Sequence, residues 1–322
     1  MKKMNAAVVT SFDEPPHYQQ FEVPQPVGDN QILVDVLAIG LHPRVRSGAR
    51  GGHYTSTGAL PMVPGVDAVG QRADGGKIYF AADDELLGSM AEKTVVDLRR
   101  TVELPKEVDV IKVAAGMNPA MSAWVALRRR VPIKPGQSVL VLGATGNAGS
   151  MAVQVAKRLG AGQVVGAGRD AVRLQALGAV GADAVVQLTD DAQATAQALA
   201  IAAAEVDIVI DYLWGKPAEQ AIPALLSARS DRSRELNWIQ IGAIAGPTIE
   251  LPSVALRSAN FRLQGTGQGS VAPREYLAEL PALIAEIDAG SISVKTETAA
   301  LSEVESIWNQ PQLPGVRTVL IP

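Results

Sequence analysis

The chain has 322 residues, of which 47% are hydrophobic and 19% charged, a composition that gives a globular protein enough length for two domains. Its formal net charge of −4 argues against a nucleic-acid partner. Cysteine is absent, which excludes disulfides, thiol nucleophiles and thiolate metal sites, and the three histidines lack zinc-binding spacing. No run of about 18 apolar residues and no signal-peptide core is present, so we expect a cytoplasmic protein without a membrane segment.

The first third of the chain predicts β-structure. Four strand patterns are bounded by glycines and prolines, at residues 32–39, 66–71, 77–80 and 92–96. The stretch from Leu41 to Pro64 has no clear periodicity and is predicted to be a long functional loop. One helix is predicted from Val108 and another from Pro119 to Leu127, and the cluster Arg128-Arg129-Arg130 is interpreted as a solvated helix end.

A glycine-rich turn in the middle of the chain separates a buried strand from a helix. Its residues are Gly143, Ala144, Thr145, Gly146, Asn147, Ala148 and Gly149. Such a turn admits the pyrophosphate of a dinucleotide at a helix N-terminus. The first glycine can adopt backbone angles that other residues avoid, and the later two lack a Cβ that would block the phosphates or the packing of helix on strand. A strand-to-helix turn without a ligand is the alternative.

From this turn onwards, strands and helices alternate. Strands are predicted at residues 139–142, 163–167, 184–187, 207–211, 238–242, 261–265 and 316–321. Helices are predicted at residues 150–160, 170–177, 191–203, 217–227, 273–288 and 301–308. The alternation up to residue 265 predicts an α/β fold with a doubly wound parallel sheet.

The order of these segments resembles the medium-chain dehydrogenase/reductase superfamily, and within it the zinc-free quinone-oxidoreductase branch. The motifs that carry the resemblance are Arg46-Ser47-Gly48, Pro61–Asp67, Asn118–Trp124, Lys134-Pro135-Gly136, Gly143–Gly149 and Ile239–Gly242. The resemblance implies a GroES-like β-barrel catalytic domain, residues 1–118 completed by 268–322, and a Rossmann dinucleotide-binding domain, residues 119–267. It also implies NADPH as the cofactor and a homodimer.

Zinc alcohol dehydrogenases of the superfamily place cysteine, a Gly-His-Glu triplet and another cysteine around their catalytic metal. The corresponding places here hold His42, Gly65-Val66-Asp67 and the Met117-Asn118 neighbourhood. One possible ligand remains, whereas a catalytic zinc needs about three. We therefore expect no metal, and NAD-dependent alcohol dehydrogenase activity is disfavoured.

The residue after the second Rossmann strand distinguishes NADP from NAD. An acid there would bind the ribose 2′-hydroxyl, whereas Arg169 can bind a 2′-phosphate, with Arg173 as a second contact. The alternative is that Arg169 is a solvated cation and Asp170 takes the ribose or caps the helix. Asp211 is equally an edge-of-site contact or a helix cap. Ser122 matches the hydroxyl residue of the family near the nicotinamide ribose, and the other cofactor candidates at strand ends are Gly242, Gly265 and Gly267.

Without a metal or thiol, the chemistry is expected to be hydride transfer from NADPH to a quinone or an activated alkene such as an enone. The protein would supply position and a donor for the developing oxyanion. Tyr54, His42 and Arg46 are the catalytic candidates. Each has a structural alternative: packing for Tyr54, a satisfied barrel-edge histidine for His42, and a surface ion pair for Arg46. A non-catalytic NADPH-binding redox sensor on the same fold is the competing function.

Overall fold

The computed structural model describes residues 2–52, 56, 58–82, 87–267, 269–311, 313 and 315–322. The strands in this part of the chain are β1 (Lys3–Val8), β2 (His17–Glu22), β3 (Gln31–Gly40), β4 (Asp67–Gln71), β5 (Lys77–Ala81), β6 (Lys93–Asp97), β7 (Thr101–Glu103), β8 (Ser138–Leu142), β9 (Gln163–Gly168), β10 (Ala184–Gln187), β11 (Ile208–Asp211), β12 (Leu236–Gln240), β13 (Phe261–Gly265), β14 (Lys295–Ala300) and β15 (Val316–Ile321). The α-helices are α1 (Pro43–Ala49), α2 (Val110–Val125), α3 (Asn147–Arg158), α4 (Ala171–Ala176), α5 (Ala192–Ala203), α6 (Gly215–Ala228), α7 (Pro273–Asp288) and α8 (Val304–Trp308).

One compact unit, Pro119–Glu279, is built on a six-stranded sheet. The strand order is β10-β9-β8-β11-β12-β13, and every neighbouring pair is parallel. This is the order of a doubly wound dinucleotide-binding sheet, in which the first strand and the fourth lie side by side at the centre. Together with the separate, largely antiparallel sheet of the other unit, it confirms the predicted fold class.

The central strand β8 and the helix α3 form the core of this unit. Val139, Leu140, Val141 and Leu142 are completely buried, as expected for a strand in the middle of a parallel sheet whose two faces are both covered. The apolar residues Met151, Ala152, Val155 and Ala156 of α3 are buried. Val153 and Gln154 are buried as well, so α3 is enclosed over more than its apolar face.

The other unit comprises Met1–Asn118 and Leu280–Pro322. Its seven-stranded sheet has the order β14-β15-β3-β4-β5-β7, with β6 also paired to β3. All pairs are antiparallel except β14 with β15. The strands β1 and β2 form a separate antiparallel pair. The C-terminal strand β15 joins this sheet through β3, so the last residues of the chain complete the fold of the first ones.

The chain returns from the six-stranded unit to the antiparallel unit at residue 280, whereas the resemblance implied that it returns at residue 268. Side-chain contacts within the dinucleotide-type unit explain the difference. Arg128 and Arg129 both form ion pairs with the buried carboxylate of Glu279, and Arg130 donates to the carbonyls of Gly265 and Ser270. The arginine cluster ends the helix and Arg128 and Arg129 are exposed, as interpreted, but the cluster also binds the segment 265–279, which the sequence did not indicate.

Two helices also differ from the predictions, and the strands β2, β7 and β14 were not predicted. Residues Pro43–Ala49 of the expected loop form α1, which begins with proline at a position where a helix needs no N–H donor. The two helices predicted from Val108 and Pro119 are one continuous helix, α2, which passes through Pro119 and continues as a π-helical turn to Arg130. Val110–Arg130 is long and apolar enough to cross a membrane, but 72% of that window is buried within the protein. Core helices of soluble proteins pass the same test, so it is weak evidence for a membrane span.

Candidate functional site

The glycine-rich turn after β8 has the tight geometry that its sequence predicts. Gly143 has a φ of 87°, a conformation that favours glycine, and its N–H and that of Ala144 both donate to the carbonyl of Ala167 at 2.9 Å. A Cβ on Gly149 would lie 2.2 Å from the carbonyl oxygen of Gly143. Only glycine at position 149 therefore allows α3 to begin this close to the turn.

The amino end of α3 is suited to an anion. Gly146 is exposed, stands at the N-cap in an extended conformation, and has no side chain that caps the helix. The first turn of α3 contains no acidic residue, while Lys157 and Arg158 lie in its last turn. The positive end of the helix dipole is thus open at this point, which is the property that phosphate sites on helix N-termini use.

Arg169 lies beside this turn because β9 pairs in parallel with β8. Leu142 is aligned with Ala167, and a Cβ on Gly168 would lie 2.6 Å from Cγ2 of Thr145. The Arg169 side chain is exposed and, among the described residues, its guanidinium has no hydrogen bond or ion pair. Asp170 caps α4 by accepting from the N–H of Arg173 at 3.1 Å, which is one of the two roles considered for it. The structure thus brings together the predicted phosphate contacts 143–149 and Arg169.

Ser122 has a partner that the sequence did not indicate. Its hydroxyl lies 2.9 Å from the hydroxyl of Tyr212, which follows β11 at the same edge of the sheet as the glycine turn. Burial raises the pKa of Tyr212 well above its usual range, and the hydrogen bond with Ser122 opposes that shift only in part. Tyr212 therefore stays a neutral hydroxyl that can donate or accept. The sequence signal that could have identified Tyr212 as a site residue is its position directly after a predicted strand of the parallel sheet.

Asp211 forms the turn after β11. Its Oδ1 accepts from the N–H groups of Leu213 and Trp214 at 2.8 and 2.9 Å, and its Oδ2 accepts from Nε1 of Trp238 at 3.1 Å. The residue is completely buried, and burial raises its pKa against these three hydrogen bonds. These contacts put Asp211 in the turn before α6 rather than at the N-cap of that helix, which is Trp214, and its complete burial argues against the edge-of-site contact.

The turn that Asp211 holds is strained. Trp214 has a φ of 54°, the one positive value found for a non-glycine residue in the described part of the chain. A non-glycine residue keeps a positive φ only where the surrounding structure holds it in that strained conformation, and such residues occur preferentially at functional sites. Gly242 packs against this turn, since a Cβ there would lie 2.7 Å from the carbonyl of Tyr212. The strain therefore lies at the carboxyl edge of the sheet.

The remaining cofactor candidates also lie at strand ends. Gly242 is two residues beyond β12, and its N–H donates to the carbonyl of Asp211 at 3.1 Å. Gly265 ends β13 and its carbonyl accepts from Arg130, while the N–H of Gly267 donates to Oγ of Ser270 at 2.9 Å. Because all strands are parallel, these glycines share one edge of the sheet with Gly143 and Arg169.

His42 and Asp67 form a buried pair in the antiparallel unit. Nε2 of His42 lies 3.1 Å from Oδ1 of Asp67, whose Oδ2 accepts from the hydroxyl of Tyr79 at 2.6 Å. His42 is 2% exposed and Asp67 4% exposed. Burial lowers the pKa of His42, although the hydrogen bond with Asp67 opposes the shift. Burial favours a neutral His42 whose Nε2 is paired with Asp67, but its Nδ1 is buried and has no hydrogen-bond partner among the described residues, so the histidine is only partly satisfied.

A buried arginine, Arg317, lies close to the His42–Asp67 pair and its positive charge offsets that of the Asp67 carboxylate. Arg317 on β15 is 3% exposed and donates to the carbonyl of Leu41 at 3.0 Å. Burial lowers its pKa to about 10, and the charge of Asp67 acts in the opposite direction. Arg317 thus stays charged at neutral pH and supplies a fixed positive charge near the carboxylate of Asp67. A charge of this sign disfavours a metal cation in the same place.

The donor set therefore does not fit a catalytic zinc. The resemblance matches His42 and Asp67 to places of metal ligands in zinc alcohol dehydrogenases, but in this structure they bind each other and lie near Arg317. In the residues that the structure describes, no three His, Asp or Glu side chains converge on one point. Cysteine, which the zinc enzymes use, does not occur in the sequence.

Of the other two catalytic candidates, Arg46 lies in the described part of the chain and Tyr54 does not. Arg46 donates from Nη1 to the carbonyl of Trp308, and its guanidinium carbon lies 5.7 Å from the centre of the Trp308 ring. It therefore contacts an aromatic residue rather than the surface carboxylate that was its alternative. Tyr54 lies outside the described residues. Both remain candidates for catalysis on the sequence alone.

Comparisons with known proteins place the chain in a family. A family model described as zinc-binding dehydrogenase matches residues 148–280. The chain is 31% identical to a probable NADPH-dependent quinone reductase of Emericella nidulans, covering 99% of this chain and 100% of that protein. It is 32% identical to the human quinone oxidoreductase over 41% of this chain and 42% of that protein.

Solved structures show the same fold. A mycobacterial quinone oxidoreductase superposes with a TM-score of 0.84 at 22% identity, covering 99% of this chain and 100% of that chain. A mycobacterial protein solved with NADPH gives a TM-score of 0.77, also at 22% identity, covering 99% of this chain and 100% of that chain. With the full-length match at 31% identity, these findings show that the chain is an oxidoreductase that belongs to the quinone-reductase-like branch of the medium-chain dehydrogenase/reductase superfamily.

Proposed function

We propose that the protein is a zinc-independent oxidoreductase that uses NADPH to reduce quinones or activated alkenes such as enones. The observation that carries the proposal is the position of Arg169. Its guanidinium has no partner among the described residues, and the residue lies next to a glycine turn that is open to a phosphate. A guanidinium at this place suits the 2′-phosphate that distinguishes NADPH from NADH. The names of relatives, an NADPH-dependent quinone reductase and an NADPH-dependent alkenal/one oxidoreductase, support the same cofactor and acceptor class.

The residues of the dinucleotide-type unit fit NADPH. Residues 143–149 would hold the pyrophosphate through backbone N–H groups at the start of α3, and Arg169 with Arg173 would hold the 2′-phosphate. The Ser122–Tyr212 pair would contact the nicotinamide ribose. Backbone groups near Gly242, Gly265 and Gly267 line the same edge of the sheet. NADPH, when bound, supplies the hydride.

The proton for the acceptor would come from different sources for the two substrate classes. A reduced quinone is a stable anion that can take its proton from water, so no acid of the protein is required. An enone needs a donor for its developing oxyanion, and we assign that role to the Tyr54 hydroxyl. The buried, paired state of His42 argues against its serving as this donor.

The test is steady-state oxidation of NADPH with 9,10-phenanthrenequinone, 1,4-benzoquinone and a simple enone. We expect turnover with at least one acceptor, a preference for NADPH over NADH, and unchanged rates after exhaustive dialysis against EDTA. Tight binding of NADPH without turnover on any acceptor would indicate a redox sensor instead. Loss of turnover on dialysis, restored by zinc, would refute zinc independence.

The proposal includes a homodimer formed through β13. This strand ends the six-stranded sheet, and Arg262 and Gly265 on it are exposed. An unpaired strand edge can add a second copy through backbone hydrogen bonds. Sedimentation velocity should give twice the mass of one chain, and Leu263→Pro on this strand should shift the protein to monomer because proline removes a backbone donor.

A further inference from the structure

An open groove of about 590 Å³ lies on the antiparallel unit, and none of its lining residues is assigned to NADPH. It runs between α1 and the segment after α8 and is lined by Pro43, Arg46, Ser47, Arg50, Gly52, Gln310 and Pro311. Its volume falls in the range of small-molecule sites, about 300–1,000 Å³. Among the lining residues that the structure describes, two are arginines and none is acidic.

The two arginines lack a carboxylate partner. Arg46 donates to the carbonyl of Trp308, and Arg50 makes one long hydrogen bond, 3.4 Å, to the side-chain oxygen of Asn309. Within the described residues, neither guanidinium takes part in an ion pair. Two acids that precede the groove-lining segment have other partners: Glu303 accepts from the N–H of Ala300, and Glu305 accepts from the N–H of Tyr18.

The two guanidiniums are also close to each other. Burial lowers the pKa of Arg46, and the like charge of Arg50 lowers it further, which shows that the two cations repel each other. Nε of Arg46 has no acceptor in the part of the chain that the structure describes, but this atom is buried and lies out of reach of the groove. An oxyanion bound between the accessible parts of the two guanidiniums would offset their repulsion.

From this geometry we infer that the groove is a binding site for a small organic molecule that carries a carboxylate or a phosphate group. Two guanidiniums on one side of a groove can bind either oxyanion through charge-assisted, bidentate hydrogen bonds. Pro43, Gly52 and Pro311 offer apolar surface to the rest of the molecule. The site lies within one unit and does not depend on NADPH or on turnover.

Ligand-observed saturation-transfer NMR and calorimetry test this with three probes: phenyl phosphate, benzoate and uncharged benzyl alcohol. Excess adenosine 2′,5′-bisphosphate is present throughout, so that the anion contacts of the dinucleotide-type unit are filled. We expect saturable binding of at least one anion and none of the alcohol. Binding of the phosphate alone, or of the carboxylate alone, identifies which oxyanion the groove takes.

Substitutions locate the binding. Arg50→Ala should weaken it about tenfold because a charge-assisted hydrogen bond is lost, and Arg50→Lys should restore part of the affinity. Arg257→Ala, an exposed arginine of the other unit, is the matched control and should leave the affinity unchanged. Equal affinity of wild type and Arg50→Ala, or no saturable binding of either anion, would overturn the inference.

Discussion

Gly149 and Gly143 touch across the turn between β8 and α3, where a Cβ on Gly149 would lie 2.2 Å from the carbonyl oxygen of Gly143. The clash would be with backbone, which cannot move aside as a flexible side chain can. Gly149→Ala should therefore lower the free energy of unfolding by about 3 kcal/mol and weaken the binding of NADPH. Urea denaturation and fluorescence titration measure the two effects.

Gly178→Ala is the control for this prediction. No described atom would lie within 4 Å of a Cβ on Gly178, and its φ is not positive, so alanine is tolerated there. We expect a change within about 1 kcal/mol, in the stabilising direction, because alanine loses less entropy than glycine on folding. Equal effects of the two substitutions would contradict the assigned contact.

Arg169→Ala should abolish the preference for NADPH over NADH. The exposed guanidinium has no protein partner among the described residues, so its removal should leave stability unchanged while the ratio of kcat/KM values for the two cofactors falls about 10- to 100-fold. Arg257→Ala serves as the matched control. A preference that survives in Arg169→Ala would assign the 2′-phosphate to other residues.

Tyr54→Phe separates the two acceptor classes. If the tyrosine hydroxyl protonates the product of enone reduction, kcat with an enone should fall by about 10²- to 10⁴-fold, while the rate with a quinone should change little because water can supply that proton. Steady-state rates with both acceptors, measured on one enzyme preparation, test this. An unchanged enone rate would leave Tyr54 a packing or positioning residue.

His42 should make stability depend on pH. Burial lowers its pKa from the ordinary value of 6.5, so between 6.5 and the lower folded-state pKa the unfolded chain binds a proton that the folded protein does not. The contribution of His42 is therefore complete above about pH 6.5 and is lost as the pH falls below it. Urea denaturation at several pH values should show this loss in wild type and a shallower one in His42→Asn.

His17→Asn is the control substitution of a histidine outside this buried pair. His17 is partly exposed, with Glu14 and Glu305 at 3.7 and 3.5 Å, so it lacks the burial on which the expected effect of His42 depends. If His42→Asn and wild type lose stability in parallel on acidification, then His42 is not held neutral by burial.

Glu279 should stabilise the end of α2. Burial alone would raise its pKa, but the hydrogen bond and charge of Arg128, together with Arg129, outweigh burial and hold the pKa below its ordinary value of 4.5. Its stabilising effect is thus complete above about pH 4.5 and is lost as the pH falls through the lower folded-state pKa. Glu279→Gln should cost about 1–3 kcal/mol near pH 7, a reduced figure because both arginines are partly exposed.

Thermal and urea unfolding at about pH 7 and pH 4 check this prediction. The difference in the free energy of unfolding between wild type and Glu279→Gln should be smaller at the lower pH, because the wild-type carboxylate then begins to take up a proton. Glu275→Gln in the first turn of α7 is the control, since that residue is exposed. A gap that stays constant with pH would show that packing, rather than charge, is what Glu279 contributes.

The sequence by itself determined the strand and helix alternation, the glycine turn and Arg169, because these depend on neighbouring residues. Helical and strand periodicity, and glycines where the backbone turns sharply, are properties of short contiguous stretches. Gly143 accordingly has the positive φ that its place predicted. The same local character explains why the fold class followed from pattern and family resemblance together.

Only the tertiary structure decided the partners of the polar side chains. Ser122 meets Tyr212 across 90 positions, Arg128 meets Glu279 across 151, and His42 meets Asp67 across 25. The strand β14, absent from the predictions, likewise depends on its pairing with β15. Hydrogen bonds and ion pairs between distant residues leave no periodic trace in the sequence, since either partner alone is an ordinary polar residue. Their energies depend on burial, which the folded chain alone creates.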